Sequence, residues 1–217
     1  FNSSQFHAII GDNMNNCGYS LEYLNYGSDG FKKLSNDQNT GFNKNDIVLK
    51  FKVNLFPKLV VKHALDIKLQ YSDEESNETY LGLTDDDFNT NPFNRYDGSA
   101  VDLMKNIHKQ IVLTHTVDFT KNFRITTNAY HNYFRRNWYK ADYITFDGDR
   151  QSIGNVFGNQ NNFINHLSFA KGEINSDGDD FMNVRANNRV YNSKGIQTKF
   201  DYHWYDNDVF HLSLIHI

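Results

Sequence analysis

Several segments of the chain alternate apolar and polar residues with a period of two. In DIVLKFKVNL one parity is apolar from Ile47 to Leu55, while the other carries Lys50, Lys52 and Asn54. KHALDIKLQY, IVLTHTVDF and GIQTKFDYHW repeat the pattern. Successive side chains of a strand point to opposite faces, so these segments predict strands with one apolar and one polar face. QFHAIIG, CGYSLEYLNY and FRITTNAYHNYF are weaker examples, which makes seven predicted strands.

The connections between the predicted strands alternate between short and long. The short ones are residues 12–16, 56–61 and 120–122. The long ones are residues 27–46, 72–109 and 135–188. In an antiparallel meander, this alternation places every long loop at one end of the sheet.

Two architectures share this period-two pattern. A soluble β-sandwich buries the apolar face, whereas a membrane β-barrel turns it to lipid and its polar face to an aqueous lumen. Strands of about ten residues, uncharged apolar faces and unequal loops favour an all-β, antiparallel transmembrane β-barrel. Aromatic residues near strand ends also fit interface girdles: Tyr23, Tyr26, Tyr71, Phe119, Tyr202 and Trp204. Single-chain barrels of this type have an even number of strands, so seven strands predict a fragment.

One segment departs from the alternation. In GSAVDLMKNIHKQ, the apolar residues Ala100, Leu103, Met104 and Ile107 have helical spacing, which predicts either a short helix or the lead-in to a strand.

Composition supports strands joined by polar loops. The 217 residues include 30 asparagines, 15% aromatic residues and only two prolines. The formal net charge is −4, and no stripe of lysine and arginine is present, so the composition argues against nucleic-acid binding. No apolar run approaches the length of a membrane helix.

The two ends of the sequence predict a piece of a longer protein. Phe1 is not a start residue, and no signal peptide follows it. The final LSLIHI, residues 212–217, can be encoded by a string that resembles a transposase end used to build sequencing libraries. We therefore expect residues 1–211 to be part of a barrel domain and residues 212–217 to be an adapter scar, with a native strand end as the alternative.

No pattern of catalytic or metal-binding residues stands out. Asp85, Asp86 and Asp87 are consecutive and lack the ligand order of a calcium loop, which predicts a solvated acidic turn. Cys17 is the only cysteine, and no histidine pairs with another histidine or with a cysteine at metal spacing. Nucleotide-binding and hydrolase motifs are missing from the sequence, so we expect neither an enzyme nor a cofactor.

The remaining chemistry is recognition. The polar faces of the predicted strands carry Lys50, Lys52, Lys68 and Lys199. Above them, the predicted loops carry Arg95, Arg135 and Arg136, whose planar guanidinium groups suit carboxylates. These three arginines are the candidate ligand-binding residues, and the alternative is that such charges only keep the interior hydrated.

Several stretches resemble one protein family. ETYLGLTDDDFNTNPFNRY (residues 78–96) is similar to a loop of TonB-dependent outer-membrane receptors of the ferric-citrate type. YSLEYLNYGSDGFKKL and NTGFNKNDIVLKFKVN resemble the preceding hairpin and loop of that family. ITTNAYHNYFRRNWYKAD and VRANNRVYNSKGIQTKFDYHW resemble its later strands. The resemblance covers most of the chain from Tyr19 to Trp204, in the same order.

The resemblance implies a 22-stranded barrel in the outer membrane of a Gram-negative bacterium, with short periplasmic turns and long extracellular loops. Such receptors bind a ferric chelate, such as ferric citrate or a siderophore, and import it with energy transmitted by TonB to a plug. The plug and the TonB-contacting segment are not in this chain. Lipid and lipopolysaccharide would surround the barrel.

Two alternatives remain open at this stage. The first is a TonB-dependent importer of a glycan or vitamin B12, and the second is a soluble β-sandwich binding module. In the barrel, we expect the stretch from Asn77 to Tyr96 to form an extracellular lid packed by Tyr80, Leu81, Phe88 and Phe93.

Overall fold

The chain folds into one antiparallel β-sheet with short helices at one end. The computed structural model describes residues 2–206 and 209–216. The strands are β1 (Ser3–Met14), β2 (Cys17–Ser28), β3 (Phe42–Leu55), β4 (Lys62–Ser76), β5 (Leu103–Asp118), β6 (Phe123–Phe146), β7 (Asp149–Ser152), β8 (Phe181–Ala186), β9 (Arg189–Asp206) and β10 (Val209–His216). The helices are α1 (Asp85–Thr90), α2 (Ile153–Gly158) and α3 (Ile164–Lys171), with 3₁₀ turns at Asp97–Ser99 and Gln160–Asn162.

The sheet follows the order of the chain. Its strands run β1-β2-β3-β4-β5-β6-β9-β10, and β7 and β8 pair with the far part of β6. The all-β, antiparallel prediction is confirmed, and the seven predicted strands correspond to β1–β6 and β9. The predicted count of seven is too low, because the described residues form ten strands.

The alternation of short and long connections is also present. Residues 29–41, 77–102 and 147–188 join β2 to β3, β4 to β5 and β6 to β9. We call the end of the sheet where they lie the long-loop end. The predicted loop 135–188 is wrong over its first part, because β6 continues to Phe146. Pairing with β5, β7 and β8 satisfies the backbone of that extension.

The segment with helical spacing is mostly strand. Only Asp97–Ser99 forms a 3₁₀ turn, and β5 begins at Leu103. Met104 pairs with Ser76 of β4 and with Trp138 of β6, so both edges of the segment are hydrogen-bonded within the sheet. Of the two predicted alternatives, the strand lead-in is the one observed.

The apolar face of the sheet forms a continuous exposed band. One register row joins Phe51, Ile67, Leu113, Ala129 and Ile196 across five strands. Phe51 and Leu113 are each 37% exposed, and Ile196 is 73% exposed. Among the described residues, no second sheet covers this face. In a β-sandwich, the apolar side chains of these strands would be buried between two sheets. In this structure they form an exposed apolar surface instead.

Most of the buried apolar side chains lie at the long-loop end instead. We call residues 77–102 and 139–183 the cap. Its core contains the buried residues Leu81, Tyr96, Ala141, Ile144, Val156, Leu167 and Ala170. The loops therefore pack into a small folded unit on the end of the sheet.

Close packing in the cap depends on two glycines. A Cβ atom on Gly98 would lie 2.7 Å from Met182 Sδ and 2.8 Å from the Ala170 carbonyl oxygen. Gly172 ends α3 with a φ of +85°, a left-handed conformation that favours glycine. These two positions let α3 approach the 3₁₀ turn at Asp97–Ser99.

The predicted lid is part of this cap, with a different packing from the one expected. Leu81 is buried, as predicted, but Tyr80, Phe88 and Phe93 are all exposed. Phe93 contacts Phe31 edge to face at 6.2 Å. The predicted acidic turn is the first turn of α1, and its N-cap Thr84 accepts a hydrogen bond from the Asp87 amide.

Within the described residues, no helix is both long and apolar enough to cross a membrane. The predicted scar overlaps β10, which pairs with β9, and residue 217 lies outside the described residues.

Candidate ligand site on the polar face of the sheet

The far part of β6 carries two cations and an indole ring on the polar face of the sheet. Arg136, Trp138 and Lys140 are spaced by two residues, so alternation places them on the same face. Register pairs Arg136 with Asn106 of β5, which shares the face of Lys68 and Lys50. The long-loop end of the polar face is therefore where these groups gather.

The cations lie against aromatic rings. Lys140 Nζ lies 3.9 Å from the Tyr80 ring centroid and 4.6 Å from that of Trp138. The Arg136 guanidinium lies 5.3 Å from the Trp138 ring centroid. Tyr80 and Trp138 meet edge to face at 5.6 Å. Each cation is attracted to the negative face of a ring, an interaction of about 0.5–2 kcal/mol. We call Tyr80, Asn106, Arg136, Trp138 and Lys140 the cation–aromatic cluster.

A further arginine adds positive charge beside this cluster. Arg189 of β9 is the register partner of Arg136, and its guanidinium donates to Asn187 Oδ1 and the Tyr191 hydroxyl. Among the described residues, Arg136, Lys140 and Arg189 have no carboxylate within ion-pair distance. These cations therefore make no direct ion pair, although Lys140 interacts electrostatically with the buried Asp102.

Within the described part of the chain, three polar atoms of the cluster are buried and have no hydrogen-bond partner. They are Asn106 Oδ1, Arg136 Nε and Trp138 Nε1. Thr79 Oγ1, in the residue before Tyr80, is also buried and has no partner among the described residues. Buried polar atoms normally have partners, and an unmatched one costs about 1–3 kcal/mol. The two donors and the acceptor lie on adjacent strands and on one face, and their burial keeps them out of contact with solvent.

Asp102 fixes the two segments that supply the cluster. Its carboxylate is buried and accepts hydrogen bonds from the backbone amides of Tyr80, at 2.9 Å, and Ala141, at 3.0 Å. Burial raises the pKa of Asp102 to about 6, against the opposing effects of these two hydrogen bonds and of Lys140. Tyr80 and Ala141, the residue that follows Lys140, are thus bonded to one side chain that does not itself belong to the cluster.

The three predicted arginines do not converge. Arg136 belongs to the cluster, while its neighbour Arg135 is exposed on the opposite face, since adjacent strand residues point apart. Both lie in β6 rather than in a loop, which corrects the prediction for this pair. Arg95 lies in the cap, where its guanidinium donates to the carbonyl oxygens of Pro92 and Asn94. Burial lowers the pKa of Arg95.

Sequence reasoning missed most of the cluster. Trp138 and Lys140 continue the period-two spacing of Arg136 within FRRNWYKAD, and that spacing was a usable signal. Tyr80 and Asn106 gave no comparable signal, because only strand register and the fold of the cap bring them to Arg136 and Trp138.

The chemistry of the cluster suits an anionic ligand with flat or apolar surface. Guanidinium and ammonium groups bind carboxylates or phosphates, and the rings offer stacking surface. Within the described residues, no group of three or more His, Cys, Asp or Glu side chains is arranged to hold a metal ion.

Comparisons with known proteins add one distant structural similarity. No protein-family model matches the chain, and no curated protein matches it. The siderophore receptor PiuA from Acinetobacter baumannii is similar in structure, with a TM-score of 0.49 and 9% sequence identity. The similarity covers 99% of this chain and 44% of that receptor, so the chain spans less than half the receptor's length.

Proposed function

We propose that this chain is a segment of a TonB-dependent outer-membrane receptor that takes up an anionic ferric chelate. The strands form part of the transmembrane barrel, the cap faces the outside, and the short turns face the periplasm. The observation that carries the membrane assignment is the exposed apolar band on one face of the sheet. Lipid is the solvent in which such a band is stable.

The position of the band supports tilted, barrel-like strands. The apolar set of β3 is centred on Phe51, and the set Ile196–Trp204 of β9 is centred on Phe200. Phe51 is in the same register row as Ile196, which lies four residues before Phe200. The centre of the apolar set therefore shifts by four residues over the four steps from β3 to β9. With a rise of about 3.3 Å per residue and a strand spacing of about 4.8 Å, this shift corresponds to a tilt of about 35°. Transmembrane barrels have strand tilts of about 35–45°.

Strand length supports the same assignment. β3, β4 and β5 contain 14, 15 and 16 residues. A tilted strand needs about 9–11 residues to cross the hydrocarbon layer, so these strands are long enough to cross and to extend beyond it.

The cation–aromatic cluster supports the proposed class of ligand. Arg136, Lys140 and Arg189 attract anions, and Trp138 and Tyr80 provide ring surface. Ferric citrate and anionic siderophore complexes combine carboxylate or other oxygen donors with net negative charge. The ferric-citrate-type assignment rests on this chemistry together with the resemblance of residues 78–96 and of the later strands to that family.

The rest of the proposal extends to the full-length receptor. It would have a 22-stranded barrel, a plug that contacts TonB, and lipopolysaccharide around its outer surface. Residues 1–211 would supply part of the barrel and its ligand-capturing loops.

Two measurements on the full-length receptor test the proposal. The folded protein should migrate faster on a gel before boiling than after it, as membrane barrels do. Arg136→Gln should weaken binding of ferric citrate at least about tenfold, which corresponds to the loss of one charge-assisted contact. Arg135→Gln is the matched control on the opposite face of β6, and its affinity should change less than about twofold.

The same variants separate the alternative substrates. Equal affinity of both variants for ferric citrate, or no binding by the wild type, would reject the ferric-citrate ligand. Loss of binding of a neutral glycan with Trp138→Ala, without an effect of Arg136→Gln, would indicate a glycan importer. Heat-independent migration would reject the barrel and favour the sandwich.

A further inference from the structure

Two lysines of the polar face are placed directly opposite each other. Lys50 of β3 and Lys68 of β4 are register partners, and both point to the face that carries the cation–aromatic cluster. Side chains directly opposite in an antiparallel pair have Cβ atoms about 4.5–5.5 Å apart, and like charges in such pairs are destabilising. Among the described residues, neither ammonium group has an ion-pair or hydrogen-bond partner.

The carboxylates around this pair are engaged elsewhere. Asp66 pairs with Lys52 at 3.7 Å, and Glu22 lies 2.9 Å from His7 Nε2. Asp12 lines the groove at the edge of the sheet, but it is in the register row of Tyr19 and Phe51, so its side chain points to the opposite face from the lysine pair. No neighbouring acid therefore neutralises both Lys50 and Lys68 within the described part of the chain.

The lysine pair lines a groove of the size of a small-molecule site. The groove has a volume of about 720 Å³ and includes the hydroxyl-bearing Ser20 and Thr114. Two glycines, Gly11 and Gly18, also line it, and a Cβ atom on Gly11 would lie 2.6 Å from the Tyr19 carbonyl oxygen. Ligand sites typically have volumes of about 300–1,000 Å³ and few, well-placed polar groups.

The groove lies on the same face as the cation–aromatic cluster but away from the long-loop end. Lys68 shares a register row with Val112 and Tyr130, and Arg136 is six residues farther along β6 than Tyr130. At about 3.3 Å per residue, the two rows are about 20 Å apart along the strands. In the row nearer the long-loop end, Arg136 and Arg189 are also register partners, so two cations again lie on directly opposite residues.

We propose that Lys50 and Lys68 form a second anion site that binds a small polycarboxylate or phosphate-bearing anion deeper on the polar face. The two lysines lie on neighbouring strands, so their ammonium groups contact two oxygens of one anion, and Ser20 supplies a hydroxyl to it. The anion removes the like-charge repulsion, so its binding is favourable at both lysines together rather than at either alone. The idea that an anion moves from the cation–aromatic cluster to this second site rests on the proposed function. The binding of an anion between the two lysines depends only on the groove.

The test is chemical footprinting of lysines in the full-length protein. Acetylation rates of individual lysines would be measured by mass spectrometry with and without citrate, and again with inorganic phosphate. We expect either anion to slow acetylation of Lys50 and Lys68 by about threefold or more, and to leave the turn residues Lys58 and Lys121 unchanged. Lys50→Gln should abolish the protection of Lys68, because the site needs both charges.

The outcomes separate this site from the proposed function. Equal acetylation of Lys50 and Lys68 with and without the anions would overturn the second site, even if ferric citrate binds at Arg136. Protection of only one lysine, or protection of Lys68 that survives Lys50→Gln, would also overturn it. Protection of both lysines in a protein that does not bind ferric citrate would contradict the proposed ligand and leave the anion site established.

Discussion

The carboxylate of Asp102 joins the two chain segments that carry Tyr80 and Lys140, because it accepts hydrogen bonds from the backbone amides of Tyr80 and Ala141. Asp102 is 2% exposed, so neither amide has water as an easy substitute for this acceptor. One buried side chain thus links the core of the cap to the cation–aromatic cluster.

Replacing this acceptor should open the cap. Asp102→Ala leaves the buried Ala141 amide and the partly buried Tyr80 amide without this acceptor, at a cost of up to about 1–3 kcal/mol each. We expect amide hydrogen exchange in residues 79–81 and 140–142 to accelerate by at least about tenfold. Asp85→Asn, at an exposed position of α1, is the control and should leave these rates unchanged. Equal rates in Asp102→Ala and the wild type would show that Asp102 does not hold the two segments.

The raised pKa of Asp102 makes the stability of the cap depend on pH. Burial raises this pKa to about 6 in the folded cap, so the folded state binds the proton more tightly than the unfolded state. The resulting stabilisation is complete below the unfolded pKa near 4 and is lost as pH rises through about 6. We therefore expect local protection in the cap, corrected for intrinsic exchange, to fall between pH 5 and pH 7.

A nearby carboxylate should not mask this trend. Hydrogen bonds from Lys171 and Tyr96 hold the pKa of Asp87 below its usual value, so Asp87 stays ionised throughout the range from pH 5 to pH 7. Asp102→Asn does not titrate, and its cap should lose the pH dependence in that range. A slope that persists in Asp102→Asn would assign the titration to another group.

The buried hydroxyl of Tyr96 should contribute to the stability of the cap. It accepts a hydrogen bond from the Thr84 amide at 2.9 Å and donates one to Asp87 Oδ2 at 2.6 Å. Tyr96→Phe removes both and should lower the free energy of unfolding of the cap by about 1–3 kcal/mol, measured by hydrogen exchange. Tyr80→Phe is the control, because it keeps the ring and removes the hydroxyl of an exposed residue. It should change this free energy by less than about 0.5 kcal/mol.

A charge on the apolar band should destabilise the protein in a membrane. Leu69 is 40% exposed on the apolar face, between Leu49 and Ile111. If that face contacts lipid, Leu69→Arg should lower the free energy of unfolding of the full-length protein in lipid bilayers by about 2–4 kcal/mol. Gln70→Arg, on the polar face of the same strand, should cost less than about 1 kcal/mol. Similar costs at both positions would contradict the proposed orientation of the sheet.

Periodicity determined the strands, but it did not determine how far they extend. The pattern ended near Phe134 because aromatic and basic residues replaced the simple alternation, yet β6 continues to Phe146. Pairing with β5, β7 and β8 decides that extension, and these partners lie far away in sequence. Helical spacing at residues 100–107 was overridden in the same way, because β5 is paired on both edges.

The sequence by itself determined the all-β class, the two unlike faces and the end at which the long loops lie, and it selected Arg136 as a candidate for ligand binding. These properties depend on side-chain parity and local spacing, which can be read along a single strand. Only the tertiary structure decided that the loops form a packed cap, that Arg135 and Arg136 lie in a strand rather than in a loop, and that Tyr80 and Asn106 join Arg136. Those relationships depend on register between strands and on burial in the cap, and both are set by contacts between residues that are distant in the chain.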